Sequence, residues 1–339
     1  MKNLIFISIY AYFLLFLRQA AAVPSTVPPP SDVGIQSVNL VFKPGCNRHD
    51  EIQRAWDDAI KIVSTVRKID YNSGSAFHYL GPPIWNRNYT SNIQAIFDNT
   101  KTFGQGWKIV PAPWKVAVNI DCNADPASTE EVDVRCKSNI GGKTRKAYTW
   151  NTEFPDGTGD QNYQHPNATM NLFLCNSFFE DLDLDDRVNA GKEIQDIFIK
   201  YDLRSYYNRA YTILHEMMHA NRITYAANGD RPVHDLVMPV KTYVDYDEDG
   251  PEGTILMAVQ GALNAKIFAR TDCPDIAADI TLNADNYALY ALGKYVESKI
   301  VYFPYVPNAN GQADRGCSTR HYLGSSLAAA SEKIRYKEH

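Results

Sequence analysis

Apolar residues recur at the spacing of a helix in several parts of this chain. Between residues 50 and 66 they fall at every third or fourth position, which places them on one helix face and predicts a helix. These apolar positions are Ile52, Ala55, Trp56, Ala59, Val63 and Val66. Similar patterns predict further helices at 188–200, 205–223, 254–269 and 284–300.

A different pattern occupies the stretch from residue 70 to residue 175. Short apolar runs are interrupted there by Gly, Pro and Asn, which is typical of strands joined by turns. The predicted strands are 108–110, 116–120, 147–150 and 171–175. The order of one helix, a small sheet and then several helices predicts a single α+β domain that is mainly helical.

The N-terminal region reads differently from a folded core. Residues 1–22 begin with a basic residue, continue with an apolar run and end in three alanines, which is the layout of a secretory signal peptide. The run is shorter than the roughly 20 residues of a spanning helix, so we expect a secreted, extracellular protein and no membrane anchor. Residues 23–45 are proline-rich and predict a linker or processing segment. We expect the domain at 46–305 and a C-terminal tail at 306–339.

Composition and charge limit the partners of the chain. The net charge is -5 and the isoelectric point is 5.9. Nucleic acids and anionic membranes attract basic surfaces, so we expect neither as a partner. With 45% hydrophobic residues, the chain can bury a sizeable core by itself, and we expect a monomer.

Six cysteines follow the predicted signal peptide: Cys46, Cys122, Cys136, Cys175, Cys273 and Cys317. An even number on a secretory route, without paired CxxC spacing, predicts three disulfides. Cys122 with Cys136 is the only pairing close in sequence, and the others stay open among about 15 connectivities. Asn88 and Asn167 each begin an Asn-x-Thr sequon and are candidate glycosylation sites.

The clearest chemical signal is the sequence His215-Glu216-Met217-Met218-His219. Histidines at positions i and i+4 share one helix face, with Cβ atoms about 6 Å apart, so both imidazoles can reach one zinc ion. A neighbouring glutamate can then remove a proton from water, which is the role of a general base. The alternative is an ordinary helix that carries two surface histidines and a glutamate.

A catalytic zinc site usually takes a third protein ligand, and two common arrangements do not fit this chain. The HExxHxxGxxH pattern needs Gly and His at the positions of Arg222 and Tyr225. A glutamate on a supporting helix is also missing, because Glu248 and Glu252 lie in a predicted loop.

The remaining candidates for the third ligand are aspartate and histidine residues downstream. Asp235 is preferred because it lies 16 residues beyond His219, where a short loop could return to the metal. His234 is the second choice. The third choice is the acidic run of Asp245, Asp247 and Asp249.

The same acidic run has a second interpretation as a calcium loop. Its DxDxDG spacing lets alternate carboxylates converge, and Gly250 permits the sharp turn. Leu256, however, stands where an EF-hand loop needs a glutamate. A solvated acidic turn is the alternative.

Three segments together resemble a known family. The sequence HEMMH at 215–219 is followed by NADNYALYA at 283–291 and preceded by NLFLC at 171–175. They resemble the deuterolysin-related zinc metallopeptidases, the aspzincins, loosely over residues 170–300. The resemblance implies a zincin-like metallopeptidase fold and a zinc-dependent endopeptidase whose partners are protein or peptide substrates.

The resemblance also implies roles for individual residues. His215 and His219 would bind Zn2+ together with an aspartate, and Glu216 would be the catalytic base. The family pattern Gly-Thr-x-Asp-x-x-Tyr-Gly does not transfer, because Leu256 stands at its aspartate position. Similar sequences place that aspartate in a His-Asp-Leu segment, which favours Asp235 as the third metal ligand.

Two questions stay open from the sequence. Asp285 either accepts a hydrogen bond from a metal-binding histidine or merely caps its helix. The function is either hydrolysis or zinc binding alone, since related secreted antigens with an HRxxH motif resemble non-catalytic zinc-scavenging proteins. The intact Glu216 favours hydrolysis, because scavenging needs ligands but no base.

Overall fold

The computed structural model describes much of the chain between residues 39 and 304. The described residues are 39–81, 87–105, 117–122, 136, 139–140, 143–151, 170–220, 223–224, 233–242, 253–269 and 280–304. The chain divides into two units, Met1–Gly34 and Ile35–His339, and all described residues belong to the second. The predicted signal peptide, the tail and the strand at 108–110 lie outside the described residues.

The fold is mixed α/β, with helices and a small sheet. The helices are α1 (His49–Ser64), α2 (Gly74–Tyr79), α3 (Arg87–Gln105), α4 (Asn176–Phe179), α5 (Leu184–Glu193), α6 (Ile197–Lys200), α7 (Arg209–Met218), α8 (Ala262–Ala269) and α9 (Ala284–Ile300), with a 3-10 turn at Leu203–Tyr206. The strands are β1 (Asn39–Phe42), β2 (Ala117–Asp121), β3 (Asn139–Ile140), β4 (Lys143–Thr144), β5 (Ala147–Asn151), β6 (Met170–Leu174), β7 (Val237–Thr242) and β8 (Gly253–Ala258). None of the described helices is long and apolar enough to cross a membrane.

Four strands form the main sheet in the order β1-β2-β6-β5. The pairs β1-β2 and β2-β6 are parallel, whereas β5 runs antiparallel to β6. Two antiparallel pairs, β3-β4 and β7-β8, lie outside this sheet. Within β6 the alternating side chains of Met170, Leu172 and Leu174 are buried, as expected for a strand with one face on the core.

The core is built around the last helix. In α9, every residue from Ala284 to Leu292 is buried, so this part of the helix is surrounded by protein rather than amphipathic. Helix α1 buries the predicted stripe that includes Trp56 and Ala59. Helix α7 packs against both of these helices, and it carries the HExxH sequence into the middle of the fold.

Several predicted elements are confirmed, with shifted ends. The helices at 50–66 and 284–300 correspond to α1 and α9. The strands at 116–120, 147–150 and 171–175 correspond to β2, β5 and β6.

The predicted helix at 254–269 is wrong over its first half. Residues Gly253–Ala258 form β8, which pairs with β7 in a register that joins Leu256 to Pro239. A turn with Gly261 in the left-handed region, φ 79°, then leads into α8. The β-branched residues Thr254 and Ile255 favour a strand. The apolar spacing continues across Gly261, so the pattern alone does not reveal the turn at this glycine.

Two other predicted helices are interrupted. The helix at 188–200 is divided between α5 and α6, because Ile194 adopts an extended conformation at the end of α5. The helix at 205–223 starts as a 3-10 turn, and α7 ends at Met218. Helices α2 and α3 lie in the region from which only strands were predicted.

The first described strand, β1, lies inside the predicted 23–45 segment. Strand β1 pairs with β2 along its whole length, and its main chain therefore belongs to the sheet. The boundary expected at residue 46 thus falls after the first strand. Residues Asn39–Phe42 contain no proline, so each has a main-chain amide that can donate a hydrogen bond within the parallel sheet.

Two disulfides are described, and their pairing corrects the sequence prediction. Cys46 is bonded to Cys122, and Cys136 is bonded to Cys175. The local pairing of Cys122 with Cys136 is therefore wrong, because parallel pairing of β1 with β2 brings the residues after each strand together. Cys273 and Cys317 lie outside the described residues.

Candidate metal centre

Helix α7 brings the HExxH sequence to the centre of the fold. It begins at a cap in which the Asn208 side chain accepts a hydrogen bond from the main-chain amide of Tyr211 at 3.0 Å. Its apolar side chains pack into the core. His215 and His219 lie one turn apart, with ring centroids 5.0 Å apart.

Each histidine has a hydrogen-bond partner on its Nδ1 atom. His215 Nδ1 lies 2.6 Å from Asp285 Oδ1, and His219 Nδ1 lies 3.1 Å from the carbonyl oxygen of Val233. A carbonyl can only accept, so it favours the tautomer in which the His219 proton is on Nδ1. The two Nε2 atoms face each other at 3.2 Å, so both lone pairs can point at one ion.

Asp235 reaches the histidines because its neighbours are fixed to the start of α9. The main-chain amide of His234 donates to the Leu282 carbonyl at 2.7 Å, and the amide of Ala284 donates back to the His234 carbonyl at 3.1 Å. On the other side, the amide of Leu236 donates to the Asn283 side chain at 3.3 Å. The residue between these anchors is thereby held beside α7.

The three predicted ligands meet at one point. Asp235 Oδ1 lies 3.0 Å from His215 Nε2 and 3.4 Å from His219 Nε2. Among the described residues, these three side chains form a group that could hold a metal ion. The Asp235 side chain is 45% exposed, whereas the histidine side chains are 12% and 15% exposed. The group is therefore open to solvent on the aspartate side.

The charges in this group depend on each other. Burial alone would lower the pKa of His215, but Asp285 and Asp235 raise it well above its usual value. Burial likewise opposes the charge of His219, whose pKa is raised by Asp235. Burial would raise the pKa of Asp235, yet the two histidines hold it well below its usual range. Without a cation, protons on the histidines would balance the carboxylates, and a metal ion would replace those protons.

Glu216 is buried beside this group and its carboxylate is incompletely satisfied. The residue is 5% exposed, and its Oε2 atom has no hydrogen-bond partner within the described part of the chain. Burial raises the pKa of Glu216, and the neighbouring histidines partly offset that effect. The Thr149 hydroxyl of β5 donates to the Glu216 main-chain carbonyl at 3.2 Å, which fixes the helix against the sheet. A buried oxygen without a partner is expected where a ligand or water completes a site.

The other predicted candidates fall elsewhere. His234 does not belong to the ligand group; its main chain bridges to Asn283 instead. The third choice, the acidic run of Asp245, Asp247 and Asp249, lies outside the described residues.

Asp285 contacts His215 and does not cap its helix. It lies in the first turn of α9, after the boundary residue Asn283, and is 3% exposed. Its Oδ1 atom accepts from Tyr211 at 2.7 Å as well as facing His215, and its Oδ2 atom accepts from the Gly261 amide. The sequence left open whether Asp285 contacts a histidine or caps its helix, and in the structure it contacts His215.

Two contributions to the candidate site were not predicted from the sequence. One is the Val233 carbonyl, because any residue can supply a carbonyl and no side chain marks it. The other is Asn283, whose amide bonds the Leu236 amide and the Val259 carbonyl at 3.3 and 3.1 Å. The Asn-x-Asp spacing at the start of a long apolar helix was a signal that could have pointed to Asn283.

Neither a scan against protein-family models nor a search of curated proteins finds a match for this sequence. Any proposal about function therefore rests on the sequence and on the geometry of this group.

Proposed function

We propose that this chain is a secreted zinc-dependent endopeptidase of the zincin-like type. His215, His219 and Asp235 would hold the zinc ion, and Glu216 would be the general base. The observation that carries the proposal is the convergence of Asp235 on both histidines beside a buried glutamate. An accidental HExxH sequence on a surface helix would have neither the third ligand nor the buried carboxylate.

The spacing of the three atoms supports zinc as the ion. In a tetrahedral site with bonds of about 2.0–2.2 Å, neighbouring ligand atoms are about 3.3–3.6 Å apart. The separations here are 3.0, 3.2 and 3.4 Å, close to that edge length. Two imidazoles and one carboxylate also form a ligand set that zinc accepts, and three protein ligands leave a fourth position for water. The donor set therefore fits.

The roles of the side chains follow from their surroundings. When bound, zinc would lower the pKa of water towards about 7 and polarise a peptide carbonyl. Glu216 would take the proton from the attacking water and pass it to the leaving amine. Burial raises the pKa of Glu216, which is the direction that makes a carboxylate a better proton acceptor.

The position of β5 suggests how a peptide would bind. In the described sheet β5 is the last strand, and Thr149 connects it to Glu216. An extended peptide can add to such an edge by main-chain hydrogen bonds. This arrangement would place a scissile bond near the base and would suit unfolded or flexible protein segments.

The two described disulfides support a secretory route, because such bonds persist mainly outside the reducing cytosol. The signal-like sequence at 1–22 points the same way.

The test compares the wild type with Glu216→Gln, and uses Glu193→Gln as the control because Glu193 is exposed on α5. Zinc content and casein hydrolysis are measured on each purified protein. We expect one zinc in all three and a loss of activity of about 100-fold or more in Glu216→Gln alone, which is the usual effect of a general base.

Other outcomes would contradict the proposal in different ways. If all three proteins bind zinc and none cleaves, the alternative of a zinc-scavenging protein is correct. If the wild type binds no zinc, the metal centre itself is wrong. If Glu216→Gln cleaves as fast as the wild type, Glu216 is not the base.

A further inference from the structure

The Asp285 carboxylate faces three donors, two of them on α7 and one in the turn before α8. Tyr211 and His215 of α7 both face Oδ1, and the Gly261 amide before α8 donates to Oδ2. Asp285 itself lies at the start of α9 and is 3% exposed. A buried carboxylate loses its hydration, so it is stable only when protein donors satisfy its oxygens in this way. The three donors therefore fix both the place and the angle of the carboxylate.

Two side chains, those of Tyr211 and His215, face the Asp285 carboxylate. Among the described contacts, the Tyr211 hydroxyl bonds Asp285 alone, whereas the His215 ring also faces His219. Burial and the Asp285 carboxylate raise the pKa of Tyr211 well above its usual value, so its hydroxyl stays protonated and donates. Tyr211 and His215 are four residues apart and meet the same oxygen, so α7 holds Asp285 from two successive turns.

The ring of Tyr211 is itself held in place. It stacks on Tyr207 with ring centroids 4.8 Å apart and planes inclined by 9°. The Tyr207 hydroxyl accepts a hydrogen bond from the Ala262 amide at 2.6 Å, next to the Gly261 amide that binds Asp285. The stack and the turn before α8 therefore form one support behind the carboxylate.

We infer that Tyr211 is a positioning residue of the metal centre, which acts by holding Asp285 so that His215 presents Nε2 to the metal. The inference rests on the proposed function only for metal binding and does not require hydrolysis. Partners that orient a ligating histidine typically change metal affinity about 10–100-fold when they are removed. Tyr211 acts one step further away, through the carboxylate.

The test is Tyr211→Phe, which removes the hydroxyl and keeps the stacked ring. Tyr206→Phe is the matched control, because its buried hydroxyl donates to the Lys200 carbonyl at 2.7 Å, outside the metal centre. For both variants and the wild type we would measure the zinc dissociation constant by chelator competition, the visible absorption of the cobalt-substituted protein, and urea unfolding of the metal-free protein.

We expect Tyr211→Phe to raise the zinc dissociation constant about tenfold, the lower end of the range for direct partners of metal-binding histidines because Tyr211 acts through the carboxylate, and to alter the cobalt spectrum. Tyr206→Phe should change neither, although both variants lose one buried hydrogen bond and unfold at similarly lower urea concentrations. A merely structural role for Tyr211 would give two variants with the same zinc affinity and cobalt spectrum.

A double-mutant cycle with Asp285→Ala, which removes the oxygen that accepts from Tyr211, tests whether Tyr211 acts through Asp285. The effect of Tyr211→Phe on zinc affinity should fall below about threefold in the Asp285→Ala background, because residues that act on one another are not additive. An equal tenfold effect in both backgrounds would overturn the inference.

The remaining outcomes separate this inference from the proposed function. If the wild type binds zinc without cleaving casein and Tyr211→Phe still weakens binding, hydrolysis is wrong and the positioning role stands. If the wild type cleaves and Tyr211→Phe binds zinc as tightly as the wild type, the positioning role is wrong and hydrolysis stands. If the wild type binds no metal, both are overturned.

Discussion

His215 lies between two aspartates whose surroundings differ. The Asp235 side chain, at Nε2, is 45% exposed, and the Asp285 side chain, at Nδ1, is 4% exposed. The Asp235 carboxylate is open to solvent and can bind an ion that enters from water. Both oxygens of the buried Asp285 carboxylate already face hydrogen-bond partners within the protein. At the scale of single residues, exposure therefore separates the candidate metal ligand from the residue that orients the histidine.

The variant Asp235→Ala tests whether Asp235 is a metal ligand. We expect it to raise the zinc dissociation constant by more than about 100-fold, because losing a ligand should exceed the effect of losing a partner of a ligand. His234→Ala is the control and should change zinc affinity by less than about threefold, since the described ligand group does not include His234. Isothermal titration at one pH checks both, and equal effects of the two variants would contradict the assignment.

At the scale of elements, the start of α9 organises the site. Asn283 is fully buried and bonds both the Asp235 segment, through the Leu236 amide, and the residue after β8, through the Val259 carbonyl. The Leu236 carbonyl in turn accepts from the Val259 amide at 2.7 Å. The helix that supplies Asp285 thus also fixes the segment that supplies Asp235.

Asn283→Ala should therefore affect stability and zinc binding together. It leaves a part-buried amide, a buried carbonyl and the buried Asn286 side chain without their partner, which we expect to lower the free energy of unfolding by about 2–4 kcal/mol. Zinc affinity should also fall about tenfold or more, by analogy with other supports of a metal site, because Asp235 loses one anchor. Urea unfolding and chelator competition measure the two effects.

Gly191→Ala provides a control of similar instability away from the site. Its new methyl carbon would clash with the Tyr206 ring, and such a clash should cost about 1–3 kcal/mol. Zinc affinity should stay at the wild-type value in this variant. A parallel loss of zinc affinity in Gly191→Ala would mean that general loosening, and not Asn283, explains the first result.

At the scale of the whole molecule, local sequence patterns predicted two long helices, three strands of the sheet and the pair of histidines in the motif. Helices α1 and α9, three strands of the sheet and the two histidines follow from periodicity and i,i+4 spacing. The pairing of Cys46 with Cys122 did not follow, since it depends on the parallel register of β1 with β2. The division of 254–269 into β8 and α8 depends on pairing with β7, which no local pattern reveals.

The candidate site shows the same division between local and long-range information. In the structure His215 and Glu216 lie on α7 and His219 is its C-cap residue, so the i,i+4 spacing of the motif brings the two histidines together. Asp235 could only be preferred over His234 and the acidic run, because its approach depends on main-chain bonds to residues about fifty positions away. The exposure of Asp235 and the burial of Asp285 could not be predicted from local sequence, because both depend on how the chain folds. The same holds for the Glu216 oxygen that has no partner among the described residues.

The most direct measurement is diffraction from crystals of the purified protein at wavelengths on both sides of the zinc absorption edge. We predict one zinc peak bounded by His215 Nε2, His219 Nε2 and Asp235 Oδ1, with metal–ligand distances of about 2.0–2.2 Å. No peak in protein supplied with zinc, or a peak confined to the acidic run at 245–249, would contradict the account.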